Sequence, residues 1–231
     1  MNRQPLLLAL VAAIGLVARA EAQPAHPSPG ALESIEWCDL WISHANETNL
    51  PRVLLIGDSI TRAYYPYVEK DLAGKAYVGR LASSAFLSDP ILLKEIGMVL
   101  DEYHFDVIHF NNGMHGWHHS EAGYEAAFPG FLAAIRSHAP QARLIWASTT
   151  TLKLSPNPAA ANPNEATDKR IAARNRIALQ FIKPAGIDVD DLSSVTRGRP
   201  ELHVDNVHFS EPGCALLARQ VAAHIAEALS H

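Results

Sequence analysis

The chain has 231 residues, 48% of them hydrophobic and 19% charged, with a formal net charge of -5 at neutral pH. That is enough apolar material for one domain with a sizeable core. The mild acidity and the lack of a Lys/Arg-rich run argue against a nucleic-acid partner or a membrane-surface role.

At the amino terminus, Arg3 precedes an apolar run from Leu6 to Val17. Two small-x-small sites follow, Ala18-Arg19-Ala20 and Ala20-Glu21-Ala22. This is the form of a signal peptide, and the run is too short to span a bilayer comfortably. Residues 1–22 are therefore expected to be removed, leaving a secreted or periplasmic protein with no stable membrane insertion. Residues 23–50 read as a lead-in that opens with Pro24, Pro27, Pro29 and Gly30, and residues 51–231 read as the folded domain. Export permits a disulfide between the two cysteines, Cys38 and Cys214; the alternative is two separate thiols packed as small apolar residues.

From there strand-like and helix-like segments alternate. Arg52–Ile56 is the first predicted strand, and a helix follows from about Ile60 to Ala73. Lys75–Leu81 reads as a strand, and Pro90–Tyr103 carries Ile91, Leu92, Ile96, Val99 and Leu100 at helical intervals. Asp106–Phe110 is a third strand, entering the polar turn Asn111-Asn112-Gly113; Glu121–His138 is helical. Arg143–Ser148 is a fourth strand, Ser155–Asn164 a Pro/Asn/Ala-rich loop and Asp168–Lys183 a helix. Ile187–Val189 is a short fifth strand, and Pro212–Leu229 a closing amphipathic helix. Such alternation predicts a parallel sheet covered on both faces, whose ligand site lies outside the carboxyl ends of the strands. Gly57-Asp58-Ser59, Ala82-Ser83-Ser84, Asn111–His115 and Ser148–Thr151 all fall on that rim.

Two of these rim features carry chemistry together. Leu54-Leu55-Ile56-Gly57-Asp58-Ser59 delivers a serine from a buried strand to the start of a helix. Asp205-Asn206-Val207-His208 places an acid three residues before a histidine, ahead of the last helix. A serine hydroxyl needs an adjacent base to attack at neutral pH, and an imidazole oriented by a carboxylate supplies one. Taken singly, Asp58 and Ser59 fit an ordinary helix cap and the Asp205 loop an ordinary surface turn. Together they point to a serine esterase with Ser59 as nucleophile, His208 as base and Asp205 as its partner.

The same residues, Ile56-Gly57-Asp58-Ser59 with Asp205-x-x-His208, resemble the SGNH/GDSL hydrolases, an esterase and lipase superfamily, over about residues 52–229. The resemblance implies a flavodoxin-like three-layer α/β/α sandwich with about five strands, and no metal or organic cofactor. It also implies an oxyanion hole built from the Ser59 N–H and groups after the second and third strands. There the chain departs from the family pattern. Leu81-Ala82-Ser83-Ser84 has no glycine, which leaves the Ser84 N–H as the nearest donor, with Gly79 as an alternative. Asn111-Asn112-Gly113-Met114-His115 offers either His115 or Asn112 as the third donor.

Asp58 and Trp117 are placed at the substrate rim, Trp117 either stacking on a sugar face or anchoring its own loop. Arg170, Arg174, Asn175 and Arg176 share one helix; they either reach the rim to bind an anionic substrate group or form a solvated basic face, and the second is the expected reading. The cluster His109, His115, His118 and His119 lacks a metal-ligand pattern, so no metal is expected. The expected substrate is a small-molecule or glycan ester, with an O-acetylated carbohydrate first. The rivals are a lysophospholipase or thioesterase, and a non-catalytic carbohydrate-binding protein on the same fold.

Overall fold

The computed structural model describes residues 32–154 and 164–230. The expected leader at 1–22 and residues 155–163 of the Ser155–Asn164 loop lie outside the described residues.

The chain folds as a six-stranded sheet between two helical layers. In chain order it runs β1 (Cys38–Ile42), β2 (Arg52–Gly57), α1 (Ser59–Asp71), β3 (Tyr77–Ser83), α2 (Pro90–Glu102), β4 (Val107–Phe110) and α3 (Glu121–His138). It continues with β5 (Arg143–Ala147), α4 (Asp168–Ile182), β6 (Asp188–Asp190), α5 (Leu192–Thr196), a single 3₁₀ turn at Pro200–Leu202, and α6 (Glu211–Leu229). The sheet order is β1-β3-β2-β4-β5-β6. All pairs are parallel except β1 with β3.

The continuous apolar strands explain why both faces are covered. In β2, Val53 and Leu55 join a core with Tyr64, Val68, Leu217, Val221 and Ile225 of α1 and α6. Leu54 and Ile56 point the other way, into a core with Ile96, Phe128, Phe131 and Ala178 of α2, α3 and α4. Asp58, Asp89, Ser120, Thr167 and Ser210 each cap the next helix with a side-chain oxygen that accepts a backbone N–H. After β3 the chain crosses to the other side of β2 to form β4. The reversal opens a crevice at the carboxyl ends of β2 and β4, where Ser59 and Asn111–Gly113 lie.

The architecture matches the expected three layers, with one strand more than the expected five. The sixth strand, β1, comes from the lead-in 23–50. It pairs with β3 from Cys38 opposite Ser83 to Ile42 opposite Gly79, and Asp39 is bridged to Arg80 at 2.9 Å. Gly79 is set by this contact, since a Cβ there would lie 2.9 Å from Ile42 Cδ1 and 3.2 Å from the Trp41 carbonyl oxygen. That places Gly79 inside the strand and away from the rim. Cys38 is exposed on β1 while Cys214 is buried on α6, and both are free thiols. Among the described residues, no helix is long and apolar enough to cross a membrane.

Candidate active site

Ser59 is positioned by the turn that ends β2. Asp58 Oδ1 accepts the Ile60 N–H at 2.9 Å and so starts α1 with Ser59 as its first residue. A first-turn N–H has no acceptor within its own helix, which leaves the Ser59 N–H pointing out of the helix start. Gly57 is required by the same turn, because a Cβ would fall 2.0 Å from Thr61 Oγ1. Asp58 itself is buried and occupied as the cap. Its expected place at the substrate rim is corrected on that ground.

His208 arrives from the loop before α6. Asp205 Oδ1 accepts the Val207 N–H at 2.7 Å and the His208 N–H at 2.6 Å, folding the loop onto its own acid. Asp205 Oδ2 then meets His208 Nδ1 at 2.8 Å, and His208 Nε2 meets Ser59 Oγ at 2.8 Å. Partial burial works to raise the Asp205 pKa, but the two N–H donors and the imidazole outweigh it and carry it down to about 2. An ionised carboxylate only accepts, so Nδ1 carries the proton and Nε2 presents its lone pair to the serine hydroxyl. The loop is fixed on both sides. Asn206 accepts the Lys153 N–H through its carbonyl at 3.0 Å and the Leu154 N–H through Oδ1 at 2.9 Å, and Val204 donates to the His208 carbonyl at 2.9 Å.

The expected oxyanion donors fare unequally. The Ser84 N–H donates to the Trp37 carbonyl at 3.0 Å, continuing the ladder of β1 past Cys38. Ser84 Oγ accepts the Trp37 N–H at 2.8 Å and donates to Glu36 at 2.6 Å. Ser84 is therefore corrected to a strand-pairing residue. Asn112 is buried, and its amide donates to the Ala85 carbonyl at 2.9 Å, tying the ends of β3 and β4 together. His115 is different: its Nδ1 lies 2.9 Å from Glu33 Oε1, which leaves Nε2 for a second partner. Burial opposes its protonation, but the Glu33 hydrogen bond and the fields of Asp58, Glu33 and Glu36 outweigh it, so its pKa is raised.

The loop carrying His115 is held from α4. Arg174, only 2% exposed, donates to the carbonyls of Gly113 at 3.0 Å, His115 at 2.6 Å and Gly116 at 2.9 Å. Burial lowers its pKa to about 10, the weak opposing pull of Tyr124 and Glu121 notwithstanding. Arg170 donates to the carbonyls of Trp117 and His119, both at 2.7 Å. Asn175 exchanges two bonds with the Thr149 backbone, both 2.9 Å. The expected solvated basic face is thus corrected for Arg174, Arg170 and Asn175, and holds for Arg176, which is exposed. Trp117 lies beneath this clamp, its ring centroid 3.9 Å from the Arg174 guanidinium and 5.1 Å from that of Arg170. Partly buried, it packs against the core as an anchor of its loop would.

Glu33, Glu36 and Trp37 border the site from the lead-in, and no motif marks them. Trp37 lies edge-on to His115 with Arg62 4.6 Å above its ring. The remaining histidines disperse: His109 pairs with Asp190 at 3.0 Å inside the sheet, and His118 and His119 pack on Phe86. Among the described residues, no group of three or more His, Cys, Asp or Glu is arranged to hold a metal ion.

No family model matches the chain, and no curated relative is found by sequence. Solved structures do match. A carbohydrate acetylesterase family member from Sinorhizobium meliloti superposes with a TM-score of 0.63 at 18% identity, covering 79% of this chain and 100% of its own. The fold is shared with a putative SGNH hydrolase from Slackia heliotrinireducens, at a TM-score of 0.59 and 19% identity over 77% of this chain and 100% of its own. A carbohydrate esterase of family 3 from Talaromyces cellulolyticus gives a TM-score of 0.61 at 16% identity, covering 78% of this chain and 99% of its own. An aryl esterase from M. smegmatis gives 0.57 at 14% identity, over 77% and 99%. These likenesses rest on backbone arrangement, with the sequences far apart.

Proposed function

We propose that the protein is a serine esterase, acting on short-chain carboxylic esters and foremost on O-acetyl groups of a carbohydrate. The observation that carries the reading is the unbroken line Asp205–His208–Ser59, two contacts of 2.8 Å at the crevice where this fold class binds its ligands. In this reading Ser59 Oγ attacks the ester carbonyl while His208 Nε2 takes its proton. The Ser59 N–H and His115 Nε2–H stabilise the oxyanion. The imidazolium then protonates the departing alcohol, and water repeats the sequence to release the acid from the acyl-enzyme. The acetylated carbohydrate is favoured by analogy with the acetylesterase and carbohydrate esterase that share the fold, and the export expected from the amino-terminal sequence suits such a substrate.

A longer acyl group or an apolar alcohol has one observation in its favour. Leu154 and Val204, 71% and 62% exposed, flank the Asp205–His208 loop on the base side. Hydrolysis of p-nitrophenyl acetate and octanoate by wild type and Ser59→Ala tests both points. The proposal expects turnover that vanishes with Ser59→Ala and favours acetate. A preference for octanoate would transfer the reading to lipid esters, and turnover that survives Ser59→Ala would end it.

A further inference from the structure

We infer that Glu33, a residue of the segment before β1, is a positioning residue that sets His115 as a charged oxyanion donor by holding its Nδ1 at 2.9 Å. The inference rests on the serine-esterase reading above and adds to it a residue from outside the expected 51–231 domain.

The argument is one of proton placement. A carboxylate can only accept a hydrogen bond, so the Glu33 contact places a proton on His115 Nδ1. In the neutral ring the other nitrogen, Nε2, would then present a lone pair, which repels an oxyanion. Only the imidazolium carries a proton on both nitrogens. His115 can therefore serve the oxyanion while bonded to Glu33 only as a cation. This differs from an amide donor, which needs no charge.

The surroundings keep that proton in place. From the lead-in come the Glu33 and Glu36 carboxylates and the edge of the Trp37 ring; from the β2–α1 turn comes Asp58. Two cations stand close by: Arg62 on α1, 4.6 Å above the Trp37 ring, and Arg174 on α4, whose guanidinium is engaged by the carbonyls of Gly113, His115 and Gly116. His118, three residues along the same loop, adds to the positive field at Glu33. Burial raises the Glu33 pKa, but its bond to His115 is the larger influence and leaves it lowered, so the carboxylate is ionised across the neutral range. Ser84 binds Trp37 and Glu36, and Glu36 Oε1 accepts the Glu33 N–H at 2.6 Å, which locates the segment that carries Glu33.

The sign follows. A histidine with a raised pKa keeps its proton below that value and loses it as pH rises through it. Oxyanion stabilisation should therefore fall away on the alkaline side. Glu33→Gln keeps an acceptor for Nδ1 but removes the charge, so it should move this loss to lower pH. His115→Asn supplies a neutral donor and should abolish the loss.

Two readouts test this. The first is nitrogen-15 ring NMR of the full chain, with His115 assigned by its disappearance in His115→Asn. It needs no substrate. The expected result is a proton on Nδ1 in the neutral form and a titration midpoint that drops in Glu33→Gln. An unmoved midpoint, or a proton on Nε2 in the neutral form, overturns the inference. The second is kcat for p-nitrophenyl acetate across pH 6 to 9 (~, the range over which an imidazole titrates). Glu33→Gln is expected to lose about tenfold at the alkaline end, recover at the acid end and leave KM unchanged. A Ser59-dependent wild type whose alkaline loss ignores Glu33→Gln overturns the role of Glu33 and leaves the esterase reading standing. Turnover independent of Ser59 fails the esterase reading itself.

Discussion

The two sides of the crevice are built in opposite ways. On the base side, four consecutive residues set the imidazole: Asp205 binds the backbone of Val207 and His208 and then the His208 ring, while Asn206 ties the loop to Lys153 and Leu154. On the oxyanion side, His115 depends on Glu33 from 82 residues away and on Arg174 from 59 residues away. A site made of local hydrogen bonds tolerates changes elsewhere in the chain. One made of long-range bonds inherits every change in the segments it borrows.

Substitutions at the base side should give the largest effects. Ser59→Ala or His208→Ala is expected to cost about 10⁶ in kcat, and Asp205→Asn about 10⁴, because the amide leaves the ring in the wrong tautomer. Single-turnover rates on p-nitrophenyl acetate measure all three. An Asp205→Asn variant at wild-type rate would show that the local loop alone orients His208.

The oxyanion side should respond less in rate and more in stability. His115→Ala is expected to lower kcat by about 10²–10³ with little change in KM. Asn112→Ala should instead destabilise the β3–β4 rim by about 1–3 kcal/mol, as expected for a lost buried hydrogen bond. Equal rate losses in the two variants would return Asn112 to the oxyanion hole. Arg174→Met leaves three carbonyls without their donor and should cost about 3–5 kcal/mol in denaturant unfolding.

The acid limb separates the two sides again. Asp205 is depressed, so the stability it lends is fully present above its unfolded value of about 4 and is lost as pH falls toward about 2. Loss of activity that sets in above that window therefore comes from another group. A pH–rate profile recorded beside circular dichroism distinguishes them, since loop melting by Asp205 must appear in both. The smallest effect on activity belongs to Gly79→Ala. It should strain the β1–β3 contact by about 1–3 kcal/mol and leave kcat alone.

The same contrast explains what could be read from the sequence. Buried parallel strands, helical periods and the paired Gly-Asp-Ser and Asp-x-x-His signals are short-range patterns, and the layers and the Asp205–His208–Ser59 line follow them closely. β1 escaped because Cys38–Ile42 is short, polar at Asp39 and preceded by a Pro-rich stretch. Its strand character comes from the edge of β3. Once β1 is paired, the Ser84 N–H is consumed, a consequence no motif near Ser84 reveals. Arg174 was misread for a similar reason: an arginine on a polar helix face looks solvated until the carbonyls of a distant loop turn toward it. The buried Asp58 cap was legible as a cap, and its rim role was the part that did not survive.

Covalent labelling tests the central claim most directly. The intact protein is treated with a fluorophosphonate, which reacts with serines made nucleophilic by a neighbouring base, and mapped by peptide mass spectrometry. The account predicts one adduct, on Ser59, absent from His208→Ala. An unlabelled Ser59, or labelling that persists without His208, would contradict it.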